Sequence, residues 1–138
     1  MSSPFHFAFP VKNLEETKRF YTHILGCKEG RSTDKWIDFD FFGNQISAHL
    51  SNAGSLSNKT SLVDSVNVPI PHFGAILERE DWNKLSEKLT LNKIQFEIEP
   101  QIRFKNEPGE QATMFFKDPS GNCLEFKSFN DNSKIYSH

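Results

Sequence analysis

Cysteine is scarce in this sequence, whose 138 residues include two, Cys27 and Cys123, with no CxxC pair. Because the two lie far apart along the chain, we predict unpaired thiols in a reducing compartment rather than a disulfide. Tyrosine is equally scarce, with two residues against 14 phenylalanines.

Long hydrophobic runs and clusters of basic residues are also missing. The first ten residues lack the basic start and apolar stretch of a secretory signal, and no window approaches the roughly 18 apolar residues of a membrane span. The net charge is -2, and the Lys and Arg residues are scattered. We therefore expect a cytoplasmic protein that binds neither nucleic acid nor membranes.

The composition is that of an ordinary globular protein. Hydrophobic residues make up 36% of the chain and charged residues 25%, which argues against a disordered chain. A chain of 138 residues can bury one sizeable core, so we predict a single domain over residues 1–138.

The first half of the chain predicts a strand, a helix and a β-hairpin. "PFHFAFPV" alternates as a strand does, and "NLEETKRFYTHILG" follows it with Asn13 as the N-cap and Gly26 at the C-terminal end. "WIDFDFF" and "QISAHL" then predict two strands joined by a turn at "GN". The predicted buried stripe of the helix is Leu14, Tyr21, Ile24 and Leu25.

The second half repeats this order. "IPHFGAIL" predicts a strand, "EDWNKLSEKLTLN" a helix with Trp82, Leu85 and Leu89 facing inward, and "IQFEIEP" a further strand. A last hairpin joins "ATMFFK" to "NCLEFKSF" through "DPSG", whose Pro and Gly favour a tight turn. The simplest interpretation is a duplicated half-domain in an α+β fold. Module one covers about 1–52, a linker about 53–68 and module two about 69–130.

Four polar residues occupy equivalent positions in the predicted strands. Successive strand residues face opposite sides, so a polar residue's parity predicts its face. If the apolar faces pack on the two helices, the opposite face of the sheet carries His6, His49, His72 and Glu125.

These residue types are typical metal ligands. Two imidazoles and a carboxylate form a set that leaves positions open on one side of an octahedral metal and suits Fe(II) best. A divalent cation would also offset the cost of placing Glu125 among Leu and Phe. The alternative is that each histidine is an ordinary strand residue and that Glu125 is solvated. The matched positions of His6 and His72 favour the metal site.

The sequence resembles the vicinal oxygen chelate superfamily, which includes glyoxalase I, type I extradiol dioxygenases and fosfomycin-resistance enzymes. The resemblance covers nearly the whole chain and rests on the repeat, on "FYTHILGC" after a first-strand histidine, and on "FFKDPSGNCLEF". It implies two tandem βαβββ modules whose sheets form an open barrel with the helices outside. It also implies that His6, His72 and Glu125 bind the metal.

Two further positions bear on the activity. Glyoxalases usually place a fourth ligand at the position of His49, whereas extradiol dioxygenases place an acid–base histidine there, so the resemblance favours a dioxygenase. Dioxygenases usually carry a substrate-binding tyrosine where this chain has Phe115, so either this protein positions its substrate differently or it is not a ring-cleaving dioxygenase.

Other residues are candidates for the substrate pocket. Trp36 shares its strand face with Asp38 and Asp40, so it can add an aromatic wall, whereas we expect the two carboxylates to be solvated. Arg103 lies in the polar stretch "EPQIRFKNEPGEQAT", which predicts a loop; it is either a ligand for an anionic substrate or an ordinary surface charge.

Three functions remain open. The first is an Fe(II) dioxygenase that binds a catechol-like substrate and dioxygen, with His49 as acid and base. The second is a glyoxalase-like isomerase or lyase that uses Zn, Ni or Mn, with His49 as a fourth ligand. The third is a ligand-binding protein of the drug-resistance type. The resemblance also implies a homodimer, because the family often forms one.

Overall fold

The structure is a computed structural model that describes residues 3–52, 59–63 and 66–137. The chain divides into two compact units. The first unit is Met1–Pro71 with Asp118–Asn122, and the second is His72–Lys117 with Cys123–His138. Among the described residues, no helix combines the length and hydrophobicity that crossing a membrane would require.

Within its described residues, the first unit contains six strands and one helical segment. The strands are β1 (His6–Val11), β2 (Lys28–Ser32), β3 (Trp36–Phe41), β4 (Asn44–Leu50), β5 (Lys59–Val63) and β6 (Val66–Ile70). The helical segment is α1 (Leu14–Arg19), continued by a π-helical turn (Phe20–Ile24).

Four of these strands form one sheet in the order β1-β4-β3-β2, in which β1 and β4 are parallel and the other pairs antiparallel. The β3–β4 turn centres on Phe42 and Gly43, whose φ angles are +53° and +87°. Two positive φ angles are what a tight hairpin turn requires, so the turn lies one residue earlier than the predicted "GN".

One face of this sheet is apolar and buried, as the alternation predicts. Phe9, Phe39 and Ile46 are all 2% exposed or less. Phe5, just before β1, and Leu50, at the end of β4, depart from this pattern because they are 59% and 48% exposed, and Phe7 is only partly buried.

The helical stripe differs from the prediction. Tyr21 and Leu25 are buried, but Leu14 and Ile24 are only partly so, and Thr17 and Phe20 are buried instead. The amide of Leu25 donates to the carbonyl of Phe20, five residues earlier, so the helix widens there and its periodicity changes.

The segment that we expected to be a linker contains paired strands. β5 and β6 form an antiparallel hairpin in which Thr60 pairs with Pro69 and Leu62 with Asn67. The linker residues 53–58 and 64–65 lie outside the described residues.

The second unit contains α2 (Arg79–Leu91), β7 (Phe96–Arg103), β8 (Gln111–Lys117), β9 (Cys123–Phe129) and a short 3₁₀ turn (Asn132–Lys134). β7, β8 and β9 form an antiparallel sheet. As predicted, α2 buries Trp82, Leu85 and Leu89, and the indole nitrogen of Trp82 donates to the carbonyl of Phe126 at 2.8 Å.

Residues 73–77 run parallel to β9 in this unit. The amide of Glu125 donates to the carbonyl of Phe73 at 2.9 Å, and that of Leu77 donates to the carbonyl of Lys127 at 2.8 Å. Between them, Gly74 lies so close to β9 that a Cβ atom there would overlap the carbonyl oxygen of Glu125. The two units thus share one pairing: β1 runs parallel to β4 in the first unit, as residues 73–77 run parallel to β9 in the second. None of the sheets formed by the described residues closes into a barrel.

The "DPSGN" turn between β8 and β9 is held by a buried carboxylate. Asp118 is 4% exposed and accepts hydrogen bonds from the hydroxyl of Tyr21 at 2.9 Å and from the amides of Ser120 and Asn122. The side chain of Asn122 in turn donates to the carbonyl of Pro10 at 2.8 Å. This motif therefore joins the turn to β1 and to the π-helical turn.

Burial raises the pKa of Asp118 above its ordinary value, against the opposing effect of the hydrogen bonds from Asn122, Tyr21 and Ser120. For Asp131, hydrogen bonds from Ser133 lower the pKa. We therefore expect carbon-13 NMR titration to give Asp118 a higher midpoint than Asp131.

Folding raises the pKa of Asp118, so the contribution of this group to stability is complete below its unfolded-state pKa. This protonation-linked contribution, which is separate from that of the hydrogen bonds accepted by Asp118, is lost as the pH rises through the folded-state value. An Asp118 midpoint at or below that of Asp131 would contradict this account of the turn.

Both cysteines are buried and neither forms a disulfide, as predicted. Burial, with the charge of Asp40, raises the pKa of Cys27 to about 12, so its thiol stays protonated and unreactive at neutral pH.

Candidate functional site

In the second unit, Glu125 lies on β9 with its carboxylate buried. The residue is 7% exposed, and one carboxylate oxygen accepts a hydrogen bond from the hydroxyl of Thr113 on β8. The other oxygen lies 3.1 Å from Nε2 of His72 and 3.9 Å from Nζ of Lys127. The strand parity thus correctly predicted that His72 and Glu125 share a face, and the register brings them into contact.

The electrostatics of this pair favour an ionised carboxylate. Burial by itself would raise the pKa of Glu125, but the hydrogen bonds from His72 and Thr113, with the charge of Lys127, outweigh it and lower the pKa. Glu125 is therefore a buried anion at neutral pH, the form that binds a cation.

Phe115 forms the apolar side of this pair. It is 1% exposed, stands opposite Glu125 in the β8–β9 register, and meets the imidazole of His72 edge to face, with ring centroids 4.9 Å apart. The ring therefore limits how the imidazole can turn, and it brings no hydroxyl to the pair.

Arg103 does not lie in a loop as we expected, because β7 continues through it and the loop spans 104–110. The polar composition misled the prediction: alternating polar side chains in this segment still form a strand that pairs with β8. Arg103 is 8% exposed, stands opposite Gln111, and places its guanidinium 5.1 Å from the ring centroid of Phe104.

In the first unit, His6 is the first of three linked polar side chains. Nδ1 of His6 lies 2.8 Å from Oε1 of Gln45, and Nε2 of Gln45 donates to Asp38 at 3.3 Å. The second oxygen of Asp38 accepts a hydrogen bond from the hydroxyl of Ser47 at 2.5 Å. The expectation that Asp38 is simply solvated was therefore wrong, whereas Asp40 is exposed and accepts a hydrogen bond from the amide of Gly43.

His49 and Trp36 are neighbours on the same sheet. They are opposite each other in the β3–β4 register, with ring centroids 6.4 Å apart, and Arg31 lies 5.9 Å from the Trp36 ring centroid. His49 is exposed. A cavity of about 380 Å³ on this unit is lined in part by Arg31, Asp38 and Gln45.

The residues fit a divalent metal by their chemistry. An imidazole nitrogen and an ionised, buried carboxylate face each other in the second unit, and both are common ligands of Fe, Mn, Zn and Ni. Over residues 3–52, 59–63 and 66–137, however, no three His, Cys, Asp or Glu side chains cluster closely enough to form a metal site. His6 and His49 belong to the first unit, and the three-ligand set stays a prediction.

Sequence reasoning missed several partners of these residues. Thr113, Lys127 and Gln45 were not singled out, although strand parity alone placed Lys127 on the face of Glu125. Finding Thr113 and Gln45 required the register between strands, which the sequence pattern does not contain.

Comparisons with known proteins agree with this fold. The sequence model of the Glyoxalase/Bleomycin resistance protein/Dioxygenase superfamily matches residues 3–126. The crystal structure of a glyoxalase/bleomycin resistance protein/dioxygenase from Alicyclobacillus acidocaldarius is 32% identical with a TM-score of 0.79, covering 98% of this chain and 97% of that chain.

Two more distant structures share the fold alone. A fosfomycin resistance protein from Listeria monocytogenes is 19% identical with a TM-score of 0.74, covering 100% of this chain and 99% of that one. A lactoylglutathione lyase from Agrobacterium tumefaciens is 13% identical with a TM-score of 0.67, covering 100% and 98%. No curated protein matches. The family match and the 32% identical structure confirm the expected resemblance: the chain belongs to the glyoxalase/bleomycin resistance protein/dioxygenase superfamily, also called the vicinal oxygen chelate superfamily.

Proposed function

We propose that this protein is a metal-dependent enzyme acting on a small substrate that presents two adjacent oxygens. The observation that carries the proposal is the contact of partly buried His72 with buried Glu125, whose carboxylate is kept ionised. Members of this superfamily typically use a divalent metal, and such an ion would replace the hydrogen bond between His72 and Glu125.

The proposed ligands are His6, His72 and Glu125, with His6 assigned by the family resemblance. In the same way we propose two tandem βαβββ modules, about 1–52 and about 69–130, that form an open barrel. The common strand pairing of the two units supports this repeat.

Fe(II) is the proposed metal, and dioxygen and a catechol-like compound are the proposed substrates. When bound, the metal would lower the pKa of a substrate hydroxyl. His49 would take that proton, since it is exposed and an imidazole exchanges protons near neutral pH. Trp36, next to His49, would stack against a planar ring, and Arg103 would contact an anionic group.

The second candidate is a glyoxalase-like isomerase or lyase with Zn, Ni or Mn and His49 as a fourth ligand. Phe115 favours it, because the side chain that packs on His72 offers no hydroxyl to a ring-cleavage substrate.

We also propose a homodimer, which sedimentation equilibrium would test.

The metal content of anaerobically purified protein, measured by inductively coupled plasma mass spectrometry, tests these proposals. We expect about one iron per chain and oxygen uptake with catechols. Uptake should fall by at least about 100-fold in His49→Ala, in line with the usual contribution of general acid–base catalysis. It should not fall in His23→Ala, a control that removes an exposed helical histidine.

Other outcomes separate the alternatives. Bound zinc or nickel with turnover in the absence of oxygen would favour the isomerase or lyase. If the protein holds no metal and still binds a small ligand, both enzyme proposals are wrong and the ligand-binding function is favoured.

A further inference from the structure

The hydrogen bonds of His6 determine which of its nitrogens carries the proton. Asp38 lies on β3, Gln45 on β4 and His6 on β1, so three adjacent strands of one sheet hold the three side chains. We call this set the Asp38–Gln45–His6 relay.

The carboxylate of Asp38 fixes the orientation of the Gln45 amide. An ionised carboxylate only accepts hydrogen bonds, so the group that faces it at 3.3 Å must be the NH₂ of Gln45. The hydroxyl of Ser47, which is 5% exposed, donates to the other carboxylate oxygen and holds Asp38 in place. The carbonyl oxygen of Gln45 is therefore turned toward His6.

That carbonyl in turn fixes the state of the imidazole. A carbonyl oxygen can only accept hydrogen bonds, and this one lies 2.8 Å from Nδ1 of His6. Nδ1 must therefore carry the proton. In neutral His6 the lone pair is then on Nε2, the nitrogen left for a metal or another acceptor of electron density. The amide thus relays the charge of Asp38 to the ring.

We propose that Asp38 and Gln45 are positioning residues that hold His6 in the tautomer and orientation that bind the metal through Nε2. This inference rests on the proposed function in one respect, the assignment of His6 as a ligand. A hydrogen bond from the second ring nitrogen of a ligand histidine fixes its tautomer and raises its basicity, and losing it typically weakens metal binding 10- to 100-fold. Neither residue touches the metal in this proposal.

The test uses Asp38→Asn and Gln45→Met in the full chain. Asparagine presents an NH₂ group that lets the Gln45 amide turn over, and methionine keeps the length of Gln45 without its hydrogen bonds. The matched control is Asp40→Asn, which removes the same charge from the same strand. The asparagine carbonyl oxygen can still accept the hydrogen bond from the amide of Gly43. Circular dichroism would confirm that each variant is folded.

The first readout is the tautomer of His6 in the metal-free protein. Long-range nitrogen–proton NMR spectra, whose nitrogen shifts distinguish the neutral ring from the charged one, are recorded on the neutral ring. We expect protonated Nδ1 in the wild type and in Asp40→Asn, and a shift of the proton toward Nε2 in both relay variants. An unchanged tautomer in folded Asp38→Asn and Gln45→Met would overturn the proposal.

The second readout is the dissociation constant for Mn²⁺, measured by competition with a chelator. We expect it to rise about 10-fold in both relay variants and to stay unchanged in Asp40→Asn. A tautomer shift without a change in Mn²⁺ affinity would overturn the proposal that the relay serves the metal. A wild type that binds no Mn²⁺, Fe²⁺ or Zn²⁺ would instead refute the proposed function, and the tautomer alone would then decide whether Asp38 positions His6.

Discussion

Replacing Glu125 with glutamine is expected to weaken the binding of a divalent metal by at least about 100-fold. Loss of a hydrogen bond to a ligand already costs 10- to 100-fold, and this change removes the charged ligand itself. The fold should persist, because the amide of glutamine can still accept the hydrogen bond from Thr113 and face Nε2 of His72. Titration of anaerobic metal-free protein with Mn²⁺ and Fe²⁺ would measure the loss.

The control for this variant is Glu97→Gln, the same chemical change on β7 of the same unit. Glu97 is exposed and lies 3.6 Å from Nζ of Lys117, in the kind of surface ion pair that contributes little. We expect its metal affinity to match the wild type. Equal affinities in Glu125→Gln and wild type would show that Glu125 is not a ligand, and its buried charge would then need another explanation.

Replacing Asp118 with alanine is expected to lower the free energy of unfolding by about 3–5 kcal/mol, which is large for one substitution. The change leaves the Tyr21 hydroxyl, the Asn122 side chain and two backbone amides without their acceptor in a region that water does not reach. Guanidinium unfolding followed by circular dichroism would give the difference.

Asp131→Ala is the matched control for this effect. Asp131 also accepts a hydrogen bond from a backbone amide, that of Ser133, but it does so at an exposed turn near the C-terminus. We expect a much smaller loss of stability there. Similar losses in the two variants would mean that the network around Asp118 adds nothing beyond an ordinary turn.

The sequence predicted the first sheet well because strand geometry repeats every two residues regardless of surroundings. Ile37, Phe39 and Phe41 are buried on one face, and Asp38 and Trp36 lie on the other, as the alternation required. The same rule put His72 and Glu125 on a common face. Their contact depends on the pairing of residues 73–77 with β9, which a one-dimensional pattern does not contain.

The failures have physical causes of the same kind. At Phe20 and Ile24 the buried stripe of the helix differs from the prediction because the π-helical turn departs from the 3.6-residue period on which the prediction relied. Asp38 was expected to be solvated because its partner Gln45 lies diagonally opposite on the adjacent strand β4, at a position that only the register reveals. Arg103 was predicted to lie in a loop because the prediction gave the polar composition of this segment more weight than its strand-like alternation.

Gly74 limits the possible alignments of the parallel seam in the second unit. Its backbone approaches the carbonyl of Glu125 so closely that only a residue without a Cβ atom fits. If residues 73–77 slipped by one position along β9, Phe73 or Ala75 would occupy this place and collide with it. The glycine thus allows one alignment of residues 73–77 on β9 and sterically excludes its neighbours. In that alignment His72 contacts the carboxylate of Glu125.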